Sequence, residues 1–110
     1  MRMRDLNTDD PVLIRFRAAL AEHYGERLDS VILFGSRACG DAGGDSDYDI
    51  AVFLKQSRGF WNEGRKLGEI ETDVFYEHGA IVNAMAFPVS VRESRSPLMH
   101  ELRRDGIVLR

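Results

Sequence analysis

Two aspartates stand two positions apart at the start of an apolar segment, Asp47 and Asp49 in the stretch DSDYDIAVFL. On a β-strand, residues two apart project from the same face, so both carboxylates point the same way. Two such carboxylates repel each other unless one keeps its proton or a cation lies between them. A hard divalent cation such as Mg²⁺ prefers carboxylate oxygens and leaves positions open for phosphate. The spacing therefore predicts a cation site that could act on a phosphoryl group.

A Gly-Ser pair, Gly35 and Ser36, follows directly on the apolar run VILF and opens a predicted short helix. Backbone N–H groups at such a turn are free to bind an anion, and glycine allows the backbone to approach it closely. Ser36 adds a hydroxyl and Arg37 a positive charge. The turn residues of 41–46, DAGGDS, should bring this pair beside the aspartates. The pattern predicts a cradle for the phosphates of a nucleoside triphosphate.

The whole stretch GSRACGDAGGDSDYD resembles the signature of the minimal nucleotidyltransferases, within the DNA polymerase β-like superfamily: Gly-Ser, ten residues, then Asp-x-Asp. RACGD resembles the family's usual RARGD, with Cys39 in place of an arginine, and SPLMHELRRDGIVL resembles its closing helix and strand. The resemblance implies a palm-like mixed sheet with helices on one side. It also implies transfer of a nucleoside monophosphate, usually AMP from ATP, to an acceptor hydroxyl. Asp47 and Asp49 would be catalytic and hold Mg²⁺ or Mn²⁺, and Gly35 and Ser36 would hold the triphosphate.

The family's third catalytic carboxylate has no clear counterpart. The strand predicted at the matching place is AIVNAMAF, and the aligned position is Asn83, whose amide cannot accept a proton from the acceptor hydroxyl. Asp73 could replace it if TDVFY, residues 72–76, formed a strand, but the helical period continues through this segment and favours a helix. Two hypotheses follow: an active nucleotidyltransferase, or a degenerate member that binds a nucleotide or partner without chemistry.

The expected partner follows from the resemblance and from size. The chain has 110 residues, about the length of the palm alone, so an acceptor must dock on an open face. Small stand-alone members of the family often act as the antitoxin of a HEPN-type ribonuclease toxin and can transfer AMP to a tyrosine on it. The resemblance thus implies a protein partner as well as ATP, and an oligomer is possible.

The periodicity predicts four helices alternating with four strands in one α+β domain over residues 1–110, a small mixed sheet with helices packed against it. Asp10 and Pro11 begin a helix that Gly25 ends, and Ser96 and Pro97 begin the last helix. The long predicted helix contains Phe60 and Trp61, which should pack on the sheet or, alternatively, form a partner interface. The predicted elements are Pro11–Tyr24, Leu28–Phe34, a short helix from Ser36, Tyr48–Leu54, Arg58–Glu77, Ala80–Phe87, a helix from Pro97 and an edge strand Ile107–Leu109.

Composition narrows the function classes. The formal net charge is −3, which argues against non-specific binding to nucleic acid. No apolar run approaches the roughly 20 residues that span a membrane, and the N-terminus lacks the apolar core of a signal peptide. The one cysteine, Cys39, cannot form an internal disulfide. These features predict a cytoplasmic protein.

Overall fold

The computed structural model describes residues 4–6, 9–39 and 47–109, which form a mixed sheet with helices on both faces. The strands are β1 (Arg4–Leu6), β2 (Leu28–Phe34), β3 (Tyr48–Leu54), β4 (Val82–Pro88) and β5 (Ile107–Leu109). The α-helices are α1 (Pro11–Tyr24), α2 (Ser36–Cys39), α3 (Phe60–His78) and α4 (Pro97–Asp105), with short 3₁₀ turns at Gly25–Arg27 and Val89–Glu93. The predicted α+β class is confirmed. The turn predicted at 41–46, which includes Asp41 and Asp45, lies outside the described residues.

The sheet has the strand order β1-β5-β2-β3-β4. The central strands β2 and β3 are antiparallel, and β5 pairs antiparallel with the other side of β2. The outer pairs, β1 with β5 and β3 with β4, are parallel. The prediction that Ile107–Leu109 forms an edge strand is wrong, because the three-residue strand β1 covers its outer side.

The strands β2 and β3 separate two apolar layers. On one face Ile50, Val52 and Leu54 pack with the buried sides of α1 and α3. On the other face Ala51 and Phe53 pack with Met99 and Leu102 of α4. The resemblance implied helices on one side of the sheet only. This expectation is wrong, because α4 packs on the face opposite to α1 and α3. The alternation along β3 decides which face receives each side chain, and so which face can carry the aspartates.

Local chemistry explains the helix ends. The Asp10 carboxylate accepts a hydrogen bond of 2.9 Å from the Val12 N–H, and the Ser96 hydroxyl accepts one of 3.2 Å from the Met99 N–H. Pro97 occupies the first turn of α4, where its missing N–H costs nothing. At the C-terminal end of α3, Gly79 adopts the left-handed conformation with φ 68°. The sequence predicted the N-terminal caps at Asp10 and Ser96.

The helix α3 begins at Phe60 rather than Arg58 and ends at His78 rather than Glu77. It includes the whole of TDVFY, so the strand alternative for that segment is wrong. Buried Leu67, Ile70 and Val74 hold the helix on the sheet despite its two internal glycines. Correspondingly, β4 begins at Val82 rather than Ala80 and includes Pro88.

Candidate functional site

The two aspartates lie at the beginning of β3 and share one face of it. Asp47 immediately precedes the strand and is exposed, and Asp49 is partly buried. Tyr48 and Ile50, between and after them, point into the core beneath α1 and α3. The carboxylates therefore project on the face that carries α4, at the end of the sheet where β2 finishes.

Asn83 joins the two carboxylates. The register of β3 and β4 places it directly beside Asp49. Its side-chain amide donates hydrogen bonds of 3.1 Å to Asp47 Oδ2 and 3.4 Å to Asp49 Oδ1. One donor group thus bridges two like charges and offsets part of their repulsion.

Gly35 lies against Asp49 because Phe34 and Asp49 are paired across β2 and β3. Its φ is +75°, a conformation that favours glycine. A Cβ atom at this position would overlap Asp49 Oδ2 and lie 3.3 Å from Asp49 Cγ. Ser36, the next residue, is exposed and begins α2. The structure thus brings the Gly-Ser turn and the aspartate pair together where β2 ends and β3 begins.

Arg37, the third predicted phosphate ligand, is placed differently. Its guanidinium lies 3.8 Å from the ring centroid of Tyr48, a residue whose side chain leaves β3 on the opposite face from the aspartates. The Tyr48 hydroxyl donates a 2.7 Å hydrogen bond to Asp10 Oδ2. Burial, and then this bond to Asp10, raise the pKa of Tyr48 to about 12. Tyr48 therefore fixes α1, α2 and β3 relative to one another, a role that the sequence did not reveal.

Asp73 does not join the site. It is exposed on α3, on the face of the sheet opposite the aspartate pair. It lines a surface cavity with Arg15 and Lys66, and its charge contributes to raising the pKa of Arg15, behind the larger effect of the Arg15–Glu77 hydrogen bond. A carboxylate in this position is too far around the molecule to assist Asp47 and Asp49.

Glu71 is a second contact that sequence patterns missed. Its Oε2 accepts a 2.7 Å hydrogen bond from the backbone N–H of Ala84, on the outer strand β4. Burial raises the pKa of Glu71, and the bond from Ala84 opposes that rise. The carboxylate thus ties α3 to β4 one residue away from Asn83.

The donor set of the pair fits a hard divalent cation. Asp47 and Asp49 offer carboxylate oxygens on one face, and the exposure of Asp47 leaves the face open to a phosphorylated ligand. Among the described residues, no group of three or more His, Cys, Asp and Glu could hold a metal ion. As far as the described residues go, the site therefore consists of two carboxylates and an amide, where three carboxylates would bind a cation more tightly.

The structure is a mixed sheet in which two aspartates, at the beginning of the inner strand β3, lie beside the Gly-Ser turn that follows β2. The family model described as "Polymerase beta, Nucleotidyltransferase" matches residues 18–109. The chain belongs to this nucleotidyltransferase family. A comparison with curated proteins found no significant match.

Solved structures share the fold. A toxin–antitoxin crystal structure with AMP-PNP is 22% identical with a TM-score of 0.58, and the match covers 83% of this chain and 67% of that one. The toxin–antitoxin MntA-HepT is 18% identical with a TM-score of 0.58, covering 88% and 68%. A chain assigned as a minimal nucleotidyltransferase is 24% identical with a TM-score of 0.54, covering 86% and 88%. At these identities the likeness shows a common fold.

Proposed function

We propose that this protein is a metal-dependent nucleotidyltransferase that transfers AMP from ATP to a hydroxyl group on a partner protein with release of pyrophosphate, and that it serves as the antitoxin of a toxin pair of the HEPN type. Membership of the polymerase β nucleotidyltransferase family supports the transferase class. The toxin–antitoxin structures of the same fold, one of them crystallised with AMP-PNP, support the partner and the nucleotide. The observation that carries the proposal is that Asp47, Asp49 and Gly35 lie together where β2 ends and β3 begins.

Each residue has a part in this reaction. Asp47 and Asp49 would hold a divalent cation, which neutralises charge on the transferring phosphoryl group and orients the attacking oxygen. Gly35 leaves room beside Asp49 where a side chain would intrude. Ser36 would donate its backbone N–H and hydroxyl to the phosphates. Arg37 would reach the phosphates only by leaving its place on the Tyr48 ring.

Proton transfer from the acceptor hydroxyl needs a base other than Asn83. An amide nitrogen donates and cannot accept that proton, and Asn83 Nδ2 already faces both carboxylates. Among the described residues of the site, the proton can pass to a carboxylate oxygen of Asp47 or Asp49, and otherwise it passes to solvent. Because carboxylates are weak bases, we expect slow transfer that depends on a well-positioned acceptor.

A label-transfer assay tests the proposal. The chain is co-expressed with the product of its neighbouring reading frame, purified, and incubated with Mg²⁺ and ATP labelled either on the α-phosphate or on the γ-phosphate. We expect label on the partner from α-labelled ATP only. Asp47→Asn with Asp49→Asn should abolish transfer while the circular dichroism spectrum is retained, and Asp73→Asn should be without effect. Undiminished transfer by the double variant would refute the site.

The second candidate, a degenerate member that binds without chemistry, is favoured by Asn83 at the position of the third carboxylate. Asn83→Asp in the same assay separates the two. An active enzyme limited by its missing base gains transfer rate with this substitution. A protein that only binds shows no label on any partner with either residue, while partner and chain still co-purify.

A further inference from the structure

An exposed apolar surface borders the candidate site on the side of β4. Ile81, immediately before β4, is 51% exposed, and Phe75 and Tyr76 near the end of α3 are 47% and 81% exposed. Together these side chains form the β4-side surface. They line one shallow cavity of about 260 Å³ with Asn83, whose amide bonds to both aspartates. Because large apolar side chains exposed together mark interaction surfaces, the cavity connects such a surface to the candidate site.

The direction of α3 brings the β4-side surface to the same end of the sheet as the aspartates. β3 and β4 are parallel, so α3, which connects them, runs in the opposite direction. Its last turns therefore lie where β3 and β4 begin, and its first turn lies at the far end. Phe60 and Trp61 are 76% and 83% exposed at that far end, so the prediction that they pack on the sheet is wrong. Trp61 and Tyr76 are about 22 Å apart along the helix.

The proposed transfer reaction, on which this inference rests, decides which side of the aspartates the acceptor occupies. The acceptor oxygen bonds to the α-phosphorus of ATP as the bond to pyrophosphate breaks, and the two oxygens lie roughly in line. Strand pairing places Phe34, Asp49 and Asn83 side by side across β2, β3 and β4. With the leaving phosphates at Gly35, directly after β2, the acceptor must approach over Asn83, from the side of β4.

Charge favours a polypeptide over a nucleic acid as the acceptor. Among the described residues that line the cavity, only Glu71 is charged, and its carboxylate binds the Ala84 N–H. A nucleic acid is bound chiefly by lysine and arginine against its phosphates, and the described lining offers neither. Aromatic side chains, in contrast, are enriched in protein interfaces.

The size of the cavity fits one side chain of such an acceptor. Sites for drug-sized ligands measure roughly 300–1,000 Å³, and this cavity, at about 260 Å³, is smaller. Met85 lies two positions beyond Asn83 on the same face of β4 and is 42% exposed. It extends the apolar contact along the strand, so apolar residues near the acceptor hydroxyl would meet matching side chains.

We propose that Phe75, Tyr76 and Ile81 form the recognition surface for the acceptor, a polypeptide segment in which apolar side chains flank the residue that carries the hydroxyl. One flanking side chain enters the cavity, and the hydroxyl reaches over Asn83 to the aspartates. Its proton passes to an aspartate carboxylate or to solvent. The β4-side surface thus selects the acceptor by its sequence.

An NMR titration tests the β4-side surface without requiring turnover. The ¹⁵N-labelled chain is titrated, in the absence of nucleotide, with a short soluble peptide in which a single tyrosine stands between leucines. We expect the amide signals of Phe75, Tyr76, Ile81 and Asn83 to shift. A peptide with aspartates in place of the leucines should bind at least about tenfold more weakly, because it brings charge onto an apolar surface beside other carboxylates.

A matched pair of double variants locates the binding. Tyr76→Ser with Ile81→Ser should weaken binding of the leucine peptide at least about tenfold. Phe60→Ser with Trp61→Ser removes equally exposed aromatic rings from the other end of the helix and should leave binding unchanged. Serine has about the same helix propensity as the aromatic residues, so both double variants should fold.

A transfer assay distinguishes failure of this inference from failure of the proposed function. With Mg²⁺ and ATP labelled on the α-phosphate, kcat/KM for the leucine peptide should fall at least about tenfold in the Tyr76–Ile81 double variant, through a higher KM. If the amide signals shift as expected but no label reaches the peptide, the transfer reaction is refuted and the recognition surface stands.

Other outcomes overturn the recognition surface itself. It is wrong if the leucine peptide does not bind, if the aspartate peptide binds equally well, or if the Tyr76–Ile81 double variant keeps its affinity. A short RNA with a free terminal hydroxyl supplies the remaining comparison. If this RNA shifts the same amide signals as strongly as the leucine peptide, the acceptor is a nucleic acid and the proposal fails.

Discussion

Gly35 is the residue on which the candidate site depends most directly for its shape. It combines a positive φ with a space so close to Asp49 that no Cβ fits without movement of that carboxylate. Gly79 has a similar φ, +68°, but no atom lies within 4 Å of a Cβ added there. The two glycines therefore separate the cost of the backbone conformation from the cost of the contact.

Gly35→Ala should lower the free energy of unfolding by about 2–4 kcal/mol, since strain at positive φ and displacement of Asp49 add. Gly79→Ala should cost only about 1–2 kcal/mol, from the backbone alone. Urea titration followed by circular dichroism measures both. Equal losses in the two variants would show that Asp49 moves aside freely and that the close approach is unimportant.

At the residue scale the sequence predicted that the Gly-Ser turn would lie beside the aspartates, because the signal was local. The alternation at Asp47–Asp49 and the glycine before a helix follow from backbone geometry over a few positions. The contact of Arg37 with the Tyr48 ring does not follow from local geometry. It depends on Tyr48 pointing to the opposite face of the sheet, where Asp10 binds its hydroxyl. Long-range partners of this kind have no fixed spacing in the chain.

At the scale of elements, α3 is held by a buried charge as well as by its apolar face. Glu63 is 3% exposed and forms an ion pair with Arg27, whose side chain is 17% exposed. The same carboxylate accepts a 2.9 Å hydrogen bond from the Arg58 N–H. It thus binds the beginning of α3 to the turn before β2 and to the connection after β3.

Glu63→Ala should lower the free energy of unfolding by about 3 kcal/mol or more, because the variant leaves the Arg27 guanidinium and the Arg58 N–H without their partner. Glu69→Ala, six residues further along the helix, is the matched control. Glu69 is 59% exposed and lies 3.6 Å from Lys66, so its loss should change stability by less than about 1 kcal/mol. Thermal and urea unfolding of both variants decide between these values. A Glu63 variant as stable as the control would contradict the buried pair.

The element boundaries were predictable where caps and period agreed. α1 was predicted to the residue from Asp10, Pro11 and Gly25, and β2 and β3 from continuous apolar runs. The beginning of α3 was displaced by two residues because Ser57, Arg58 and Gly59 carry no cap that the sequence distinguishes. β1 was missed altogether, since three residues with two charges show no period.

At the scale of the whole molecule, β1 determines which strand forms the edge of the sheet. β5 contributes buried Ile107 and Leu109 to the core, but its register with β2 includes only Ile32–Val108 and Leu33–Ile107. Its other side is paired with β1 over three residues. The outer strand β4 at the opposite end is protected instead by Glu71, so β5 is covered by a strand and β4 by a side chain.

Removal of residues 1–6 should therefore destabilise and expose β5. The backbone hydrogen bonds between β1 and β5 are lost, which lowers the free energy of unfolding by about 1–3 kcal/mol, and the freed edge promotes association of chains at high concentration. Removal of residues 1–3 leaves β1 in place and serves as the control. Urea titration measures the stability, and light scattering during mild heating measures aggregation. If both truncated chains match the full chain in stability and scattering, β1 contributes nothing to the sheet. If only the longer deletion lowers the free energy of unfolding, β1 stabilises the sheet although its sequence shows no strand pattern.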